Sequence, residues 1–433
     1  MYSHSVTLDS SKCRGCTDCI KRCPTEAIRV RDSKAKIIND RCIDCGNCIA
    51  VCNNGAKKAV MDKIEMIKAY PYRIALPAPS FYAQFSKGES IENIIAALYA
   101  IGFTDVFEVS QAAQIITKHT QEYMKSVREY PVISSACPVI MRLIQRRFPA
   151  LIHHVLPIMS PMELAARYVK ETYTRAGIDI SQIGVFFISP CPAKATDIHK
   201  PKGFEKSYVD GAFSMQEIYL KVIHTMEGSY LKEKQRVPSP DGILWATRNG
   251  GVSNNEIDSH IAVDGIERVI DILEKVEDGT LSKVHYIEAL ACTGGCLGGA
   301  LTIENPFVSR HTLKKLVEKE RKLLGDQAIQ EDTLLEEIPY LYKISVDPKP
   351  VFSLDEDLGT AIEMMEHIES LYKQLPQIDC GSCGAPTCRC FAEDVVKGCA
   401  NVEDCIFMLR KSIKELSESM FELTKKILPT TKN

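Results

Sequence analysis

The chain has 433 residues, of which 45% are hydrophobic and 25% are charged, and its formal net charge is −3 at pH 7. This composition is that of a globular protein with roughly two to four domains, and without a basic block it excludes an obvious nucleic-acid partner. No apolar run reaches the roughly 18–20 residues that span a bilayer, and the N-terminus lacks the basic start and apolar stretch of a signal peptide. We therefore expect a cytoplasmic protein that does not bind membranes.

Cysteine is the unusual residue, with 18 copies. In a reducing compartment, clustered cysteines usually bind metal or carry out redox chemistry. The first eight form two runs with the spacing C-x2-C-x2-C-x3-C, followed by Pro24 in the first run and Asn53 in the second. This is the spacing of bacterial ferredoxins with two [4Fe–4S] clusters, in which the fourth cysteine of each run binds the other run's cluster. The predicted ligands are Cys13, Cys16, Cys19 and Cys52 for one cluster, and Cys42, Cys45, Cys48 and Cys23 for the other.

Zinc is the alternative metal for these runs. Tetrahedral thiolate zinc sites usually join one C-x2–4-C pair to a distant second pair, and unbroken runs of four favour iron–sulfur. The sequence therefore predicts a ferredoxin-like βαβ module with two clusters over residues 1–62. By itself, this module indicates only electron transfer.

From about residue 70 the pattern changes to alternating strands and helices. Arg73–Leu76 is predicted to be a buried strand. Ser90 is predicted to cap a helix that runs to Ala100, with Gly102 after its end. A further strand is expected over residues 105–109, with a helix after Gln111. Such alternation is typical of parallel α/β sheets.

Three apolar stretches in this region, at residues 131–133, 183–188 and 286–290, run directly into cysteine. Ligand sites in α/β folds lie beyond the carboxyl ends of strands. One buried [4Fe–4S] cluster could therefore be held by the cysteines that follow, which are Cys137, Cys191, Cys292 and Cys296. Separate core cysteines are the alternative, and the prolines and glycines beside the cysteines argue against it.

These cysteine loops resemble the three signature loops of the FeFe-hydrogenase catalytic domain, which read T-S-C-C-P, M-P-C-x-x-K-x-x-E and E-x-M-A-C-x-x-G-C-x-x-G-G. They are Ser134–Pro138, Ser189–Asp197 and Glu288–Gly299 in this chain. The likeness extends over roughly residues 72–345 and includes Ala78-Pro79-Ser80, Ser160-Pro161-Met162-Glu163 and Gly250-Gly251-Val252. It implies a two-lobed parallel α/β hydrogenase domain over residues 63–370.

The resemblance also implies an H-cluster. This is a [4Fe–4S] cubane bridged through cysteine to a two-iron subcluster with CO, CN and bridging dithiolate ligands. Cys296 matches the bridging thiolate, and the cubane ligands match Cys137, Cys191, Cys292 and Cys296. Lys194 matches the residue that donates a hydrogen bond to one cyanide, which suits an ammonium group. A solvated surface lysine is the alternative for Lys194. Ala78, Pro79 and Ser80 match the wall near the other cyanide.

Several positions depart from the family pattern. The family's proton-delivering cysteine is Ala136 here, and a methyl group cannot donate or relay a proton. The methionines of the second and third loops are Ser189 and Leu290, and the glutamate of the second loop is Asp197. The pattern resembles the divergent, sensory branch of the family, for which we expect slow turnover.

The proton path of the standard enzymes also uses a serine and two glutamates. Ser160 matches the serine. A loose alignment of the helix after Gln111 places His119 and Glu122 near the two glutamates. The alternative for both is a position on the helix surface without a role in proton transfer.

Residues 371–433 are predicted to form a small helical iron–sulfur domain. The pattern C-G-S-C-G-A-P-T-C, with a later cysteine, resembles a four-cysteine domain of several anaerobic redox proteins. It implies a fourth [4Fe–4S] cluster with the ligands Cys380, Cys383, Cys388 and Cys405. Zinc is again an alternative. Cys390 and Cys399 are left over, either as free thiols or with one of them replacing Cys405.

The end of the chain has apolar residues at alternating spacings of 3 and 4. Such a heptad pattern is typical of a coiled coil. Charged residues fill most other positions, which favours a parallel homodimer over a helix packed on its own domain. The apolar positions are Ile406, Leu409, Ile413, Leu416, Met420, Leu423 and Ile427.

The sequence as a whole predicts a multidomain α+β and α/β protein that catalyses reversible hydrogen oxidation. We expect low activity, a hydrogen-sensing or regulatory role, a ferredoxin or another redox protein as electron partner, and assembly by hydrogenase maturation enzymes. Two alternatives stay open. One is an iron–sulfur carrier or assembly protein without the two-iron subcluster, and the other is an electron-transfer subunit of a larger complex.

Overall fold

The computed structural model describes residues 4–85, 89–228, 239–252, 257, 259–325 and 333–426. No helix within these ranges has both the length and the apolar character that a membrane crossing requires. The strands are β1 (Val6–Leu8), β2 (Ile28–Arg31), β3 (Lys34–Ile37), β4 (Lys57–Ala59), β5 (Tyr72–Pro77), β6 (Asp105–Val106), β7 (Val132–Ile133), β8 (Ile183–Ser189), β9 (Gly211–Ser214), β10 (His260–Asp264) and β11 (Tyr286–Leu290). The helices are α1 (Asp18–Lys21), α2 (Asn47–Ala50), α3 (Pro79–Tyr82), α4 (Ile91–Ile101), α5 (Val109–Met124), α6 (Pro138–Arg147), α7 (Pro161–Arg175), α8 (Pro192–His199), α9 (Met215–Gly228), α10 (Pro240–Leu244), α11 (Ile266–Glu277), α12 (Pro306–Leu324), α13 (Thr333–Glu337), α14 (Leu358–Gln374), α15 (Cys388–Val396) and α16 (Ile406–Lys426).

The chain divides into two compact units. The large unit contains residues 1–7, 42–46 and 59–350, and the small unit contains residues 8–41, 47–58 and 351–433. The three predicted domains, 1–62, 63–370 and 371–433, stay a prediction, although the first and the third both contribute to the small unit.

The large unit contains two parallel sheets. One has the strand order β6-β5-β8-β9 and the other has the order β10-β11-β7. β8 is buried along its whole length, as expected for a parallel strand with both faces covered. Each sheet has its own apolar core, with Ile74 and Val185 in the first and Ile133 and Ile287 in the second. The predicted parallel α/β class is therefore confirmed.

Local signals in the sequence account for the start and end of α4. The Ser90 side chain accepts a hydrogen bond from the Asn93 N–H at 3.1 Å and so caps the helix. Gly102 ends it with a φ of 124°, a conformation that favours glycine. This predicted helix is confirmed. The strand predicted over residues 105–109 is wrong in its length, because β6 ends at Val106 and Val109 already begins α5.

The small unit joins the N-terminal ferredoxin-like segments to the C-terminal helices. β2 and β3 form an antiparallel hairpin, whose two turn residues both have positive φ. The carboxylate of Asp394 on α15 is buried against this hairpin. It pairs with Arg29 at 2.6 Å and with Arg31 at 3.0 Å. The Val30 N–H also donates to the Gly384 carbonyl at 2.8 Å.

Candidate metal centres

The four cysteines predicted for the H-cluster cubane line one cavity in the large unit. The cavity has a volume of about 110 Å³. Its wall also contains Lys194, Ala136 and the Ala78–Ser80 segment. The cysteines arrive from both sheets, because Cys191 follows β8 while Cys137 and Cys292 follow β7 and β11. Three strand ends that are distant in sequence therefore converge on one apolar chamber.

Cys137 and Cys191 each lie immediately before a helix that begins with proline. Cys137 is the N-cap of α6 and Cys191 is the N-cap of α8. Proline suits the first helical position because its missing N–H has no partner there and its φ is already helical. The Cys-Pro pairs in the sequence are thus the local signal for two donor sulfurs at helix N-termini.

Cys292 and Cys296 lie on a tight glycine turn after β11. Gly294 and Gly295 have φ values of 86° and 71°. A Cβ on Gly295 would lie 2.6 Å from the Ala246 carbonyl oxygen, so a side chain has no room there. The Gly294 N–H donates to Asp264 at 2.6 Å. This turn brings both thiols of the third loop into the cavity.

Lys194 extends from α8 into the cavity wall, where its Nζ donates to the Ala136 carbonyl at 3.3 Å. Ala78 is the N-cap of α3, and Ser80 lies in the first turn of that helix. The Ser80 hydroxyl is buried and has no hydrogen-bond partner among the described residues. Ser189 does not line the cavity. Its hydroxyl donates to the Cys191 carbonyl at 2.8 Å and thereby shapes the second loop.

Burial raises the pKa of three of the cavity thiols, those of Cys191, Cys292 and Cys296. The pKa of Cys191 rises to about 11 and that of Cys296 to about 12, and the neighbouring thiols add to both shifts while Lys194 opposes them. Cys292 is shifted in the same direction for the same reason. Such thiols keep their protons until a cation replaces them, so metal loading releases protons into solution.

The predicted proton-path residues are only partly brought together. Ser160 is the N-cap of α7, beside the cavity-lining Pro161, and its buried hydroxyl has no hydrogen-bond partner among the described residues. His119 is buried and stacks on Tyr340, with a distance of 3.7 Å between ring centroids, and burial lowers its pKa. The Glu122 side chain is 72% exposed. Neither His119 nor Glu122 lines the cavity.

Sequence reasoning assigned no role to several groups in and near this site. Trp245 and Met162 line the cavity, and the indole N–H of Trp245 donates to Thr117 at 2.8 Å. Glu288 accepts from the Asn249 and Gly251 N–H groups at 2.5 and 2.8 Å, which holds the Gly250-Gly251 turn against β11. The chain has a single tryptophan, and its rarity was the one signal that the sequence offered. Nothing in the sequence indicated that Trp245 would line the cavity.

A small polar cavity of about 10 Å³ lies beside Ser160 in the large unit. Lys202 and Asp197 pair across it at 2.6 Å, and their side chains are only 11% and 16% exposed. Glu163 accepts from the Ser207 hydroxyl at 2.5 Å, and burial raises the pKa of this carboxyl. Asp197, which matches the glutamate of the family's second signature loop, is thus the counter-ion of a largely buried lysine.

Asp44 fixes the segment 42–46 within the large unit. Its carboxylate accepts from the Ser5 N–H at 2.8 Å and from the Thr196 hydroxyl at 2.7 Å, and it also pairs with Arg142. Thr196 lies on α8, the helix that carries Lys194. A predicted cluster-binding loop, with Cys42 and Cys45, is therefore anchored to the helix that follows Cys191.

In the small unit, the predicted ligands of one ferredoxin cluster line a common cavity of about 20 Å³. Backbone N–H groups donate to two of these sulfurs, from Ala35 to Cys13 at 3.4 Å and from Ala56 to Cys52 at 3.3 Å. The four cysteines are Cys13, Cys16, Cys19 and Cys52. Of the second predicted set, Cys23 and Cys48 belong to the small unit, and Cys42 and Cys45 belong to the large unit.

Four of the six C-terminal cysteines line a common cavity. A cavity of about 10 Å³ is lined by Cys380, Cys383, Cys388 and Cys405. Cys390 and Cys399 do not line it. The Cys390 thiol donates to Glu26 at 2.6 Å, and Cys399 is exposed.

Replacing Cys405 with serine should therefore remove one cluster's iron, whereas the same change at Cys399 should leave the iron content intact. The physical reason is that Cys405 is buried in the cavity wall and Cys399 faces solvent. Iron quantification on both purified variants checks this. Equal iron loss in the two variants would contradict the ligand assignment.

The donor sets fit iron–sulfur clusters. None of the 18 cysteines forms a disulfide, and each of the three cysteine-lined cavities presents four thiols, with backbone N–H groups or a lysine beside the sulfurs. Sulfur donors with N–H···S hydrogen bonds are the usual environment of such clusters.

The comparisons with known families agree with this chemistry. Residues 5–53 match the 4Fe-4S dicluster domain and residues 375–407 match an Fe-S cluster family, so the chain is an iron–sulfur protein. Residues 72–235 and 222–300 match the family "Iron only hydrogenase large subunit, C-terminal domain", which covers more than half of the chain. The chain belongs to this hydrogenase family, as the signature loops predict.

Individual relatives are distant. Iron hydrogenase 1 of Clostridium pasteurianum is 22% identical over 72% of this chain and 67% of its own length. Cytosolic iron-sulfur assembly component 3 of Bos taurus is 20% identical over 70% of this chain and 80% of its own length. A variant of the [FeFe]-hydrogenase HydA1 from Chlamydomonas reinhardtii has a solved structure with 13% identity and a TM-score of 0.44, which covers 63% of this chain and 94% of that one.

Proposed function

We propose that the chain is an FeFe-hydrogenase-like oxidoreductase that interconverts dihydrogen with two protons and two electrons at an H-cluster. We further propose that its turnover is slow and that its role is hydrogen sensing or redox regulation. The observation that carries the proposal is the single cavity lined by four cysteines, Lys194 and the Ala78–Ser80 wall. A cubane alone needs only the cysteines, whereas the lysine and this wall match positions that serve the two-iron ligands.

The chain's own residues have distinct proposed roles in this cavity. Cys137, Cys191, Cys292 and Cys296 would hold the cubane, with Cys296 also bridging to the two-iron subcluster. When bound, that subcluster with its CO, CN and dithiolate ligands supplies the metal chemistry of hydrogen. Lys194 would donate a charge-assisted hydrogen bond to a cyanide. The apolar lining, which includes Val109, Phe187 and Leu290, would exclude water.

Slow turnover follows from Ala136 in this proposal. Its methyl group lines the cavity where the family has a proton donor, and the loss of a positioned donor typically costs about 10²–10⁴-fold in rate. Ser160, His119 and Glu122 do not replace the missing donor. The structure gives Ser160 and His119 no mutual hydrogen bond, and the Glu122 side chain is largely exposed.

The ferredoxin-like and C-terminal cysteines would hold three further [4Fe–4S] clusters that conduct electrons between the cavity and a redox partner. In the small unit, the hairpin and the C-terminal helices are joined by the buried ion pairs of Asp394. A ferredoxin or another redox protein is the proposed electron partner. Dedicated maturation enzymes are proposed to insert the two-iron subcluster.

Helix α16 supports a parallel homodimer. Its seam residues are solvent-exposed in the single chain, from 40% for Leu409 to 63% for Leu416. Isoleucine stands at the first heptad position of the first two repeats and leucine at the fourth, a combination that favours two-stranded parallel coils. Ile427, the last predicted seam residue, lies outside the described residues.

Replacing Leu416 with lysine should convert a dimer to a monomer, because the substitution places a charge in the seam. The matched control is Glu418→Lys, which introduces the same side chain at an outward heptad position and should leave the dimer intact. Multi-angle light scattering on the full chain measures both. A wild-type monomer, or two variants that behave alike, would contradict the dimer.

An iron–sulfur carrier without the two-iron subcluster is the second candidate. The resemblance to the Bos taurus assembly component over 70% of this chain favours it. Infrared spectroscopy and iron quantification on protein matured with hydrogenase maturation enzymes separate the two candidates. Carbonyl and cyanide bands together with slow hydrogen uptake would support the hydrogenase. Their absence after maturation would favour the carrier, and fast hydrogen evolution would refute the regulatory role.

A further inference from the structure

Lys57 is a buried lysine in the cavity of a predicted ferredoxin cluster. Its side chain belongs to the first residue of β4 and is 3% exposed. Its Nζ is buried without a hydrogen-bond partner, and no ion pair joins it to another described residue. The same cavity is lined by Cys13, Cys16, Cys19 and Cys52. Burying an ammonium group without an anion is costly, so its location calls for a negative partner that the described part of the chain does not supply.

The internal repeat shows that this lysine is a substitution in an apolar position. Ile28 stands five residues after Cys23, and Lys57 stands five residues after Cys52. Each is the first residue of its strand, β2 or β4, and each is buried. The preceding alanine N–H donates to the cysteine sulfur in both repeats, at 3.2 and 3.3 Å. The two positions are therefore equivalent, and one repeat carries a cation where the other carries a hydrocarbon.

The charge of Lys57 acts on the surrounding sulfurs. Its ammonium group shares one cavity with the predicted sulfur ligands of the cluster, so a positive charge lies among them. Lys58 differs in every respect. Its side chain is 49% exposed, and it pairs with Asp9 at 2.9 Å. Neighbouring lysines on β4 thus present one buried and one solvated cation.

We propose that Lys57 is the counter-ion of the cluster held by Cys13, Cys16, Cys19 and Cys52, and that it raises the reduction potential of this cluster. A cubane with four thiolate ligands is an anion, and it gains one further negative charge when it accepts one electron. A buried cation stabilises the reduced cluster more than the oxidised cluster, because the reduced form carries the larger negative charge. Charge and hydrogen bonding around the sulfurs thereby set the reduction potential. Electrons would therefore reside preferentially on this cluster. The inference rests on the ferredoxin clusters of the proposed function and is independent of the two-iron subcluster.

An EPR-monitored redox titration of the full chain, produced without maturation enzymes, tests this proposal. The signal that disappears in Cys16→Ser identifies the cluster. Lys57→Met removes the ammonium group and should lower the reduction potential of that signal. We expect the equilibrium constant for reduction to fall at least tenfold, which is about 59 mV for one electron. Lys58→Met is the matched control and should leave the potential unchanged. An unchanged or higher potential in Lys57→Met with full iron content would overturn the proposal.

A further variant keeps the test decisive if Lys57→Met loses the cluster. Lys57→Arg keeps the cation, so it should retain both the iron and the potential. Iron loss in Lys57→Met together with retention in Lys57→Arg supports the counter-ion role, whereas equal loss in both shows that the position serves packing and overturns it. Wild-type protein without this EPR signal would instead show that the ferredoxin assignment itself fails.

Discussion

Replacing Lys194 with methionine should lower the hydrogen turnover of matured protein by roughly 10²–10³-fold while the iron of the cubane stays in place. The side chain lies in the wall of the four-cysteine cavity, where it is the one cation among the described lining residues. A charged hydrogen-bond donor beside a buried anionic ligand should contribute about as much to the rate as a preorganised oxyanion-hole donor. Loss of such a donor lowers the rate by roughly 10²–10³-fold. Hydrogen-uptake assays, iron analysis and infrared spectra on the same preparation measure the three quantities separately.

The matched control for this variant is Lys200→Met. Lys200 is exposed and directly follows the end of α8, the helix that carries Lys194. It should keep wild-type turnover and the same infrared bands. Full turnover with unchanged infrared bands in Lys194→Met would show that this lysine does not serve the two-iron ligands, and would contradict its proposed role.

Replacing Asp394 with asparagine should reduce the free energy of unfolding of the small unit by about 3–5 kcal/mol. The carboxylate neutralises both Arg29 and Arg31, and the side chains of Asp394 and Arg29 are only 11% and 8% exposed. Removing one partner leaves buried guanidinium groups without their counter-charge, which is the costly way to break a buried ion pair. Urea unfolding followed by circular dichroism and by the visible absorbance of the clusters measures the loss.

An exposed ion pair in the same unit provides the comparison. Glu369 and Arg389 approach to 3.0 Å, but their side chains are 43% and 54% exposed. Glu369→Gln should therefore change the free energy of unfolding by only about 0–1 kcal/mol. If the two variants lose equal stability, the buried pairs of Asp394 are not what joins the hairpin to α15.

The parts of the site that could be predicted from the sequence are those with a local physical signature. Cysteine before proline places a thiol at a helix N-terminus, and this holds for Cys137 and Cys191. Glycines with positive φ mark the turn of Cys292 and Cys296. The three strands that end at these loops were predictable from short apolar runs, because parallel strands are buried on both faces.

The remainder depends on contacts between distant segments. Trp245 reaches the cavity through packing between elements, and the Asp394 pairs join residues separated by 365 and 363 positions. Neither has a local signal. For His119 and Glu122, the alignment could not fix the rotation of α5, and the structure buries the first and exposes the second. The resemblance between motifs therefore named the cysteines, Lys194 and the Ala78–Ser80 segment that line the cavity, but not Trp245 and not the rotation of α5.

The junction at Cys405 has a consequence for the whole molecule. Cys405 and Ile406 both line the C-terminal cavity, and Ile406 is the first residue of α16. A sulfur anchored to iron would therefore immobilise the first turn of the long exposed helix. In the proposed dimer with the proposed C-terminal cluster, oxidative loss of that iron would fray the helix from its first turn, and exposure to oxygen would then change the quaternary structure.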